Sequence, residues 1–168
     1  FASEGFECWG VDVVDVGYPY HLELCDVRTL SVEWVKSKNF DVIVGSPPCR
    51  NFTALTSWAH RWKKPLDIEG GLELVNAFLK IVNEAQPKVW LMENVPRLEK
   101  FITLKPRVRR AELGKNMYRS FWGKFPPFFV PCWESKPSQQ FGYYGKLRSW
   151  LRAEIPFPVA QAFARSVV

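Results

Sequence analysis

The feature that most constrains this chain is an alternation. Short apolar runs that stop at an acid, a glycine or a proline are separated by stretches with helical periodicity. Cys8–Val14, Phe40–Val44 and Val89–Met92 read as buried strands. Val32 to Lys38 reads as a short helix. A longer helix runs from about Gly71 to Ala85, with Leu72, Val75, Phe78, Leu79 and Val82 on one face, and Pro87 stops it. Strands separated by helices imply βαβ units and a parallel sheet. In such sheets ligands bind beyond the carboxyl ends of the strands. Asp12, Asp15, Cys49 and Glu93 all fall where a predicted strand stops, so they form one candidate constellation.

At 168 residues and 47% hydrophobic content, the chain can bury a core of its own and reads as a single domain, 1–168. No apolar run approaches the roughly 20 residues needed to cross a bilayer, and FASEGFECWG lacks the basic start and apolar stretch of a signal peptide. The four cysteines, Cys8, Cys25, Cys49 and Cys132, are scattered without metal-ligand spacing. Free thiols, no metal and a cytoplasmic setting are therefore expected.

Charge is uneven. The chain carries +6, yet Pro96 to Lys124 alone holds nine Lys or Arg against two Glu. Such a run is either a solvated face or a surface for a polyanion, most simply nucleic acid. The stretch Ser57–Pro65 interleaves Trp58 and Trp62 with Arg61, Lys63 and Lys64. Those aromatics either stack bases, with the cations on phosphates, or anchor a short helix at i and i+4.

Two segments carry chemistry. In Gly45-Ser46-Pro47-Pro48-Cys49 the prolines stiffen the backbone after a strand and remove two amide donors. Cys49 is then either a buried turn cysteine or a rigidly aimed thiolate. In Glu93-Asn94-Val95 a carboxyl directly after Val-Trp-Leu-Met is partly desolvated, which favours its neutral, hydrogen-bond-donating form.

Together these segments resemble the cytosine-C5 DNA methyltransferase family. Gly45–Thr53 is similar to the family's nucleophile motif, Gly-Pro-Pro-Cys-Gln-x-Phe-Ser, and Glu93-Asn94-Val95 to its Glu-Asn-Val motif. Gly5–Asp12 resembles the strand whose terminal acid binds the cofactor ribose. Cys25-Asp26-Val27 resembles the segment whose Asp meets adenine, and Ile155–Ala164 resembles the C-terminal helix that folds onto the cofactor. The resemblance implies a Rossmann-like S-adenosylmethionine-dependent methyltransferase fold, α/β with a mostly parallel sheet and helices on both faces. It implies methyl transfer from S-adenosylmethionine to carbon 5 of cytosine in DNA, as in restriction-modification systems. It further implies Cys49, Glu93 and Arg119 as catalytic residues, Arg119 standing for an arginine motif otherwise hard to align. Asp12, Val13, Asp26, Val27 and Pro47 become the cofactor-binding residues. Trp58, Arg61, Lys63, Arg107, Arg109 and Arg110 are then the nucleic-acid contacts.

Two departures qualify the match. The family's Phe-x-Gly-x-Gly-Gly turn is not in these 168 residues, and Phe1–Glu4 reads as the end of the helix after it, so that strand and turn are expected upstream. Only 26 residues separate Pro126-Pro127 from Glu154-Ile155-Pro156, where the family carries its target recognition domain. That leaves room for a single-stranded target or a partner subunit that supplies recognition. Two rival readings stand beside the main one. One is a non-catalytic nucleic-acid-binding module of the same fold. The other is a methyltransferase acting on RNA or on a free pyrimidine nucleotide.

Overall fold

The computed structural model describes residues 1–15, 17–53, 66–112, 118–129, 155 and 157–168. Trp58, Arg61 and Lys63 lie outside them, as does Cys132, and the Arg110 side chain is not described. The chain divides into two compact units. One comprises Cys8–Arg110 and Arg119–Phe125, and the other Phe1–Glu7, Ala111–Tyr118 and Pro126–Val168.

The larger unit opens with strands β1 (Trp9–Asp12) and β2 (His21–Leu24), paired in parallel with Asp12 opposite Leu24. Helix α1 (Val32–Lys38) follows, then β3 (Val42–Gly45), helix α2 (Ile68–Ala85) and β4 (Val89–Asn94). A 3-10 turn over Pro96–Lys100 precedes β5 (Val108–Glu112) and β6 (Tyr118–Lys124). Strands β3, β4, β6 and β5 form a sheet in that order. The β3–β4 pair is parallel and the β4–β6 pair antiparallel. The α/β character expected from the alternation is therefore present, with the strands divided between a two-stranded and a four-stranded sheet among the described residues.

Local chemistry accounts for the element ends. Ser31 caps α1 by accepting from the Trp34 amide at 3.2 Å, and Asn39 ends it in the left-handed conformation. Asp67 caps α2 by accepting from the Gly70 amide at 2.9 Å, which starts that helix three residues before the apolar stripe suggests. Strand β1 stops at Asp12 rather than Val14, because the Asp12 carboxylate accepts from the Val14 amide at 3.0 Å and withdraws it from the ladder. Strand β4 runs two residues beyond Met92, so Glu93 and Asn94 end the strand instead of following it. Strands β2 and β5, the latter carrying Arg109 and Arg110, lie outside the strands expected from the sequence.

The core lies between α2 and the larger sheet. Val75, Phe78 and Val82 of α2 pack with Met92 of β4 and Trp122 of β6, joined by Phe52 and Leu98. The Trp122 indole donates to the Leu104 carbonyl at 3.0 Å, so the buried ring leaves no open donor. Ile81, on the flank of α2, packs instead with Val32 and Val35 of α1. In the smaller unit, helix α3 (Phe157–Ser166) packs Phe163 edge-on against Phe1, and its Gln161 and Arg165 both bind Glu4.

Candidate active site

Parallel pairing of β3 with β4 sets Gly45 beside Met92, so the next residues on each chain, Ser46 and Glu93, come together. The Ser46 hydroxyl donates to Glu93 Oε2. One step further, Asn94 Nδ2 donates to the Pro47 carbonyl at 2.9 Å, while its Oδ1 accepts from the Val95 amide. Asn94 is fully buried, and it pins the Pro-Pro-Cys loop to the end of β4. The sequence alone assigns Asn94 no role, although it lies inside the Glu-Asn-Val motif.

Antiparallel pairing of β4 with β6 supplies the third member. Glu93 stands opposite Phe121, and Arg119, two residues along β6, projects from the same face. Its Nε lies 2.8 Å from Glu93 Oε1, in an ion pair with side chains 11% and 5% exposed. Glu93 is thus held on both oxygens, by a guanidinium and by a hydroxyl. Burial raises the Glu93 carboxyl above the usual carboxylate range, while Arg119 and Ser46 pull it down.

Cys49 is half-buried in the loop after β3. Its carbonyl accepts from the Phe52 amide and the Thr53 hydroxyl, both at 2.9 Å, which folds the loop into a turn. Phe52 inserts into the core against Gly71 of α2, where a Cβ would come 2.8 Å from the ring. The loop is therefore anchored on both sides of the thiol. Burial pushes the Cys49 thiol up, the Arg119 charge pulls it down, and the Glu93 charge pushes it up again.

The expected cofactor residues sit at the ends of β1 and β2. Asp12 closes β1 with an exposed carboxylate, Val13 beside it is 65% exposed, and Asp26 follows β2 by two residues. Both Asp26 oxygens accept from Arg28, whose Nη1 also reaches Glu73 on α2 at 3.0 Å. That pairing holds the Asp26 carboxyl down at about 2. Arg28 is a residue the sequence does not single out, since nothing in Val27-Arg28 distinguishes a tether from a solvated cation. Val27 packs beside the α1 core, and Asp15 accepts from the Gly17 amide at 2.8 Å.

The basic stretch is partly neutralised. Arg109 binds Glu99 at 3.0 Å, and Lys105 lies 4.0 Å from the same carboxylate. The Arg107 guanidinium covers the Phe125 ring at 5.1 Å. Among the described residues, no group of three or more His, Cys, Asp or Glu is arranged to hold a metal ion, and no helix is long and apolar enough to cross a membrane.

A thiol on a pinned loop, flanked by a buried carboxyl clamped between arginine and serine at the carboxyl ends of the parallel pair β3–β4, is an arrangement able to support covalent addition assisted by an acid. Residues 18–106, more than half the chain, match the family model of the C-5 cytosine-specific DNA methylases, and the chain belongs to that family. It is 35% identical over 82 residues to M.MjaORF1200P of Methanocaldococcus jannaschii, named as a type II methyltransferase, covering 46% of this chain and 22% of that protein. It is 32% identical over 113 residues to the type II methyltransferase M1.HphI of Haemophilus parahaemolyticus, covering 64% and 28% respectively. It is also 32% identical over 82 residues to the DNA (cytosine-5-)-methyltransferase M.ApeKI of Aeropyrum pernix, covering 48% and 17%. The chain thus spans under a third of the length of these curated relatives.

Proposed function

We propose that this chain methylates carbon 5 of cytosine in DNA through a covalent adduct at Cys49, on a Rossmann-like methyltransferase fold. The observation that carries the reading is the clamp Ser46–Glu93–Arg119 beside Cys49, in a chain of the C-5 cytosine-specific DNA methylase family. Carbon 5 of cytosine is a poor nucleophile. The Cys49 thiolate adds to carbon 6, and the ring electrons move toward nitrogen 3, where Glu93 supplies the proton. Arg119 holds Glu93 in place and favours the Cys49 thiolate. Carbon 5 is then an enamine carbon able to attack an electrophilic methyl group. Once it carried that methyl, it would give up its proton as the carbon–sulfur bond breaks, the Cys49 thiolate would leave, and Glu93 would take back the nitrogen 3 proton.

The electrostatics agree with that division of labour. A protonated Glu93 no longer opposes the Cys49 charge, so the acid form of Glu93 favours the thiolate. The residues present also fit S-adenosylmethionine. Asp12 offers an exposed carboxylate for a ribose diol, Val13 an apolar flank, and Asp26 an acceptor for an adenine amine once Arg28 shares it. Val27 follows β2 by three residues and Pro47 follows β3 by two, at the neighbouring strand ends. When bound, that cofactor supplies the electrophilic methyl group.

The test is trapping with an oligonucleotide carrying 5-fluorocytosine, on the full-length protein with cofactor. The expected result is an adduct stable to denaturation in wild type and none in Cys49→Ala. An adduct that persists in Cys49→Ala, or a wild type that forms none and transfers no methyl, overturns the proposal.

A further inference from the structure

We infer that Ser46 is a positioning residue that directs the proton of Glu93 to Oε2, resting on the reading of Glu93 as the acid above. The two groups that hold this carboxyl differ in kind. A guanidinium keeps its charge, so Oε1, 2.8 Å from Arg119 Nε, meets a fixed positive charge in either protonation state. A hydroxyl both donates and accepts. At Oε2 the Ser46 hydroxyl donates to the carboxylate and, after rotating, accepts from the acid. Oε2 is therefore the oxygen on which a proton is tolerated.

Three features hold the hydroxyl there. The β3–β4 register sets Ser46 beside Glu93, the Asn94–Pro47 hydrogen bond at 2.9 Å fixes the next residue, and Pro47 and Pro48 stiffen the backbone that follows. Ser46 is itself exposed, so its hydroxyl links a nearly sealed carboxyl to the open side of the site.

The experiment follows the Glu93 carboxyl band in the free full-length protein by infrared titration, with Glu93→Gln as the spectral reference. The bond to the ionised form is charge-assisted and the stronger of the two, so removing the hydroxyl makes protonation easier. Ser46→Ala should therefore move the Glu93 midpoint to higher pH, and Ser46→Thr, which keeps the hydroxyl, should restore it. Ser46→Gly repeats the first arm with no added methyl. In methyl transfer to DNA, Ser46→Ala should move the pH profile in the same direction and lower kcat about tenfold or more, with KM for DNA little changed. A midpoint, or an activity profile, identical to wild type in Ser46→Ala overturns the inference. A shifted midpoint in Ser46→Ala, beside a wild type that transfers no methyl, overturns the activity proposed above and leaves the role of Ser46 in the carboxyl's protonation supported.

Discussion

At the scale of single residues, the site is governed by how three charges share a buried space. Arg119 lowers both neighbouring acids, while the Glu93 charge opposes ionisation of Cys49. Replacing Glu93 by Gln removes the negative charge but keeps the shape. The Cys49 thiol should then ionise at lower pH, and iodoacetamide should alkylate it several-fold faster at pH 8 than in wild type. An unchanged rate in a folded Glu93→Gln would show that the two groups do not feel each other. Asp26 titrates in the opposite sense. Its carboxyl is held near 2 by Arg28, below the ordinary 3.8, so the pairing contributes stability above the ordinary value. That contribution fades as pH falls from about 4 towards 2. Asp26→Asn should flatten the acid-unfolding curve in that window, and Arg28→Ala should do the same. Curves that superimpose on wild type would remove the pair from the stability account.

At the scale of elements, the antiparallel pairing of β4 with β6 is what brings arginine to the acid. It depends on Gly123, which pairs with Leu91 at φ 144°. A Cβ there would lie 2.1 Å from the Trp90 carbonyl oxygen, a backbone atom that cannot swing aside. Gly123→Ala should cost at least about 2 kcal/mol in urea unfolding. Gly5 is the control: its φ is also positive, at 89°, but nothing lies within 4 Å of an added Cβ. Gly5→Ala should cost only about 1 kcal/mol, the backbone penalty alone. Equal costs at the two positions would refute the close approach at Gly123. Element existence is the legible part of the sequence. The stripe Leu72–Val82 and the apolar runs at Val42 and Val89 carry their periodicity in the chain itself. Strand β2, His21–Leu24, is only faintly legible, because its polar–apolar alternation spans four residues and becomes a strand by pairing with β1.

At the scale of the whole molecule, the basic excess between Pro96 and Lys124 is smaller in effect than its sum suggests. Glu99 holds Arg109 and draws Lys105. On the proposed reading as a DNA enzyme, Glu99→Gln should release both cations. Binding to DNA of any sequence should then tighten, and the dependence on salt should steepen by roughly 0.7–0.9 in log–log slope for each additional phosphate neutralised. Replacing Arg107, Arg109 and Arg110 together by Ala should act in the reverse direction, about equally on all sequences. A slope unmoved by Glu99→Gln in a salt titration would assign these cations to a solvated face.

The sequence by itself determined the chemistry available and its spacing: a Pro-Pro-Cys loop after one strand, a Glu-Asn-Val segment after another, and acids toward the end of the run Cys8–Val14. Those features are local, because proline geometry, helical period and strand-terminal acids act over a few residues. Only the tertiary structure decided which partners those residues receive. Arg119 is one of nine basic residues between Pro96 and Lys124, and the β4–β6 register makes it the one that meets Glu93. Asn94 and Ser46 acquire their roles from the β3–β4 register, which joins positions 47 residues apart. Arg28 reads as a surface cation until the fold brings Glu73 and Asp26 to it. Pairings of this kind depend on backbone registers set by the packing of α2 against the sheet, and composition and short-range pattern carry no record of them.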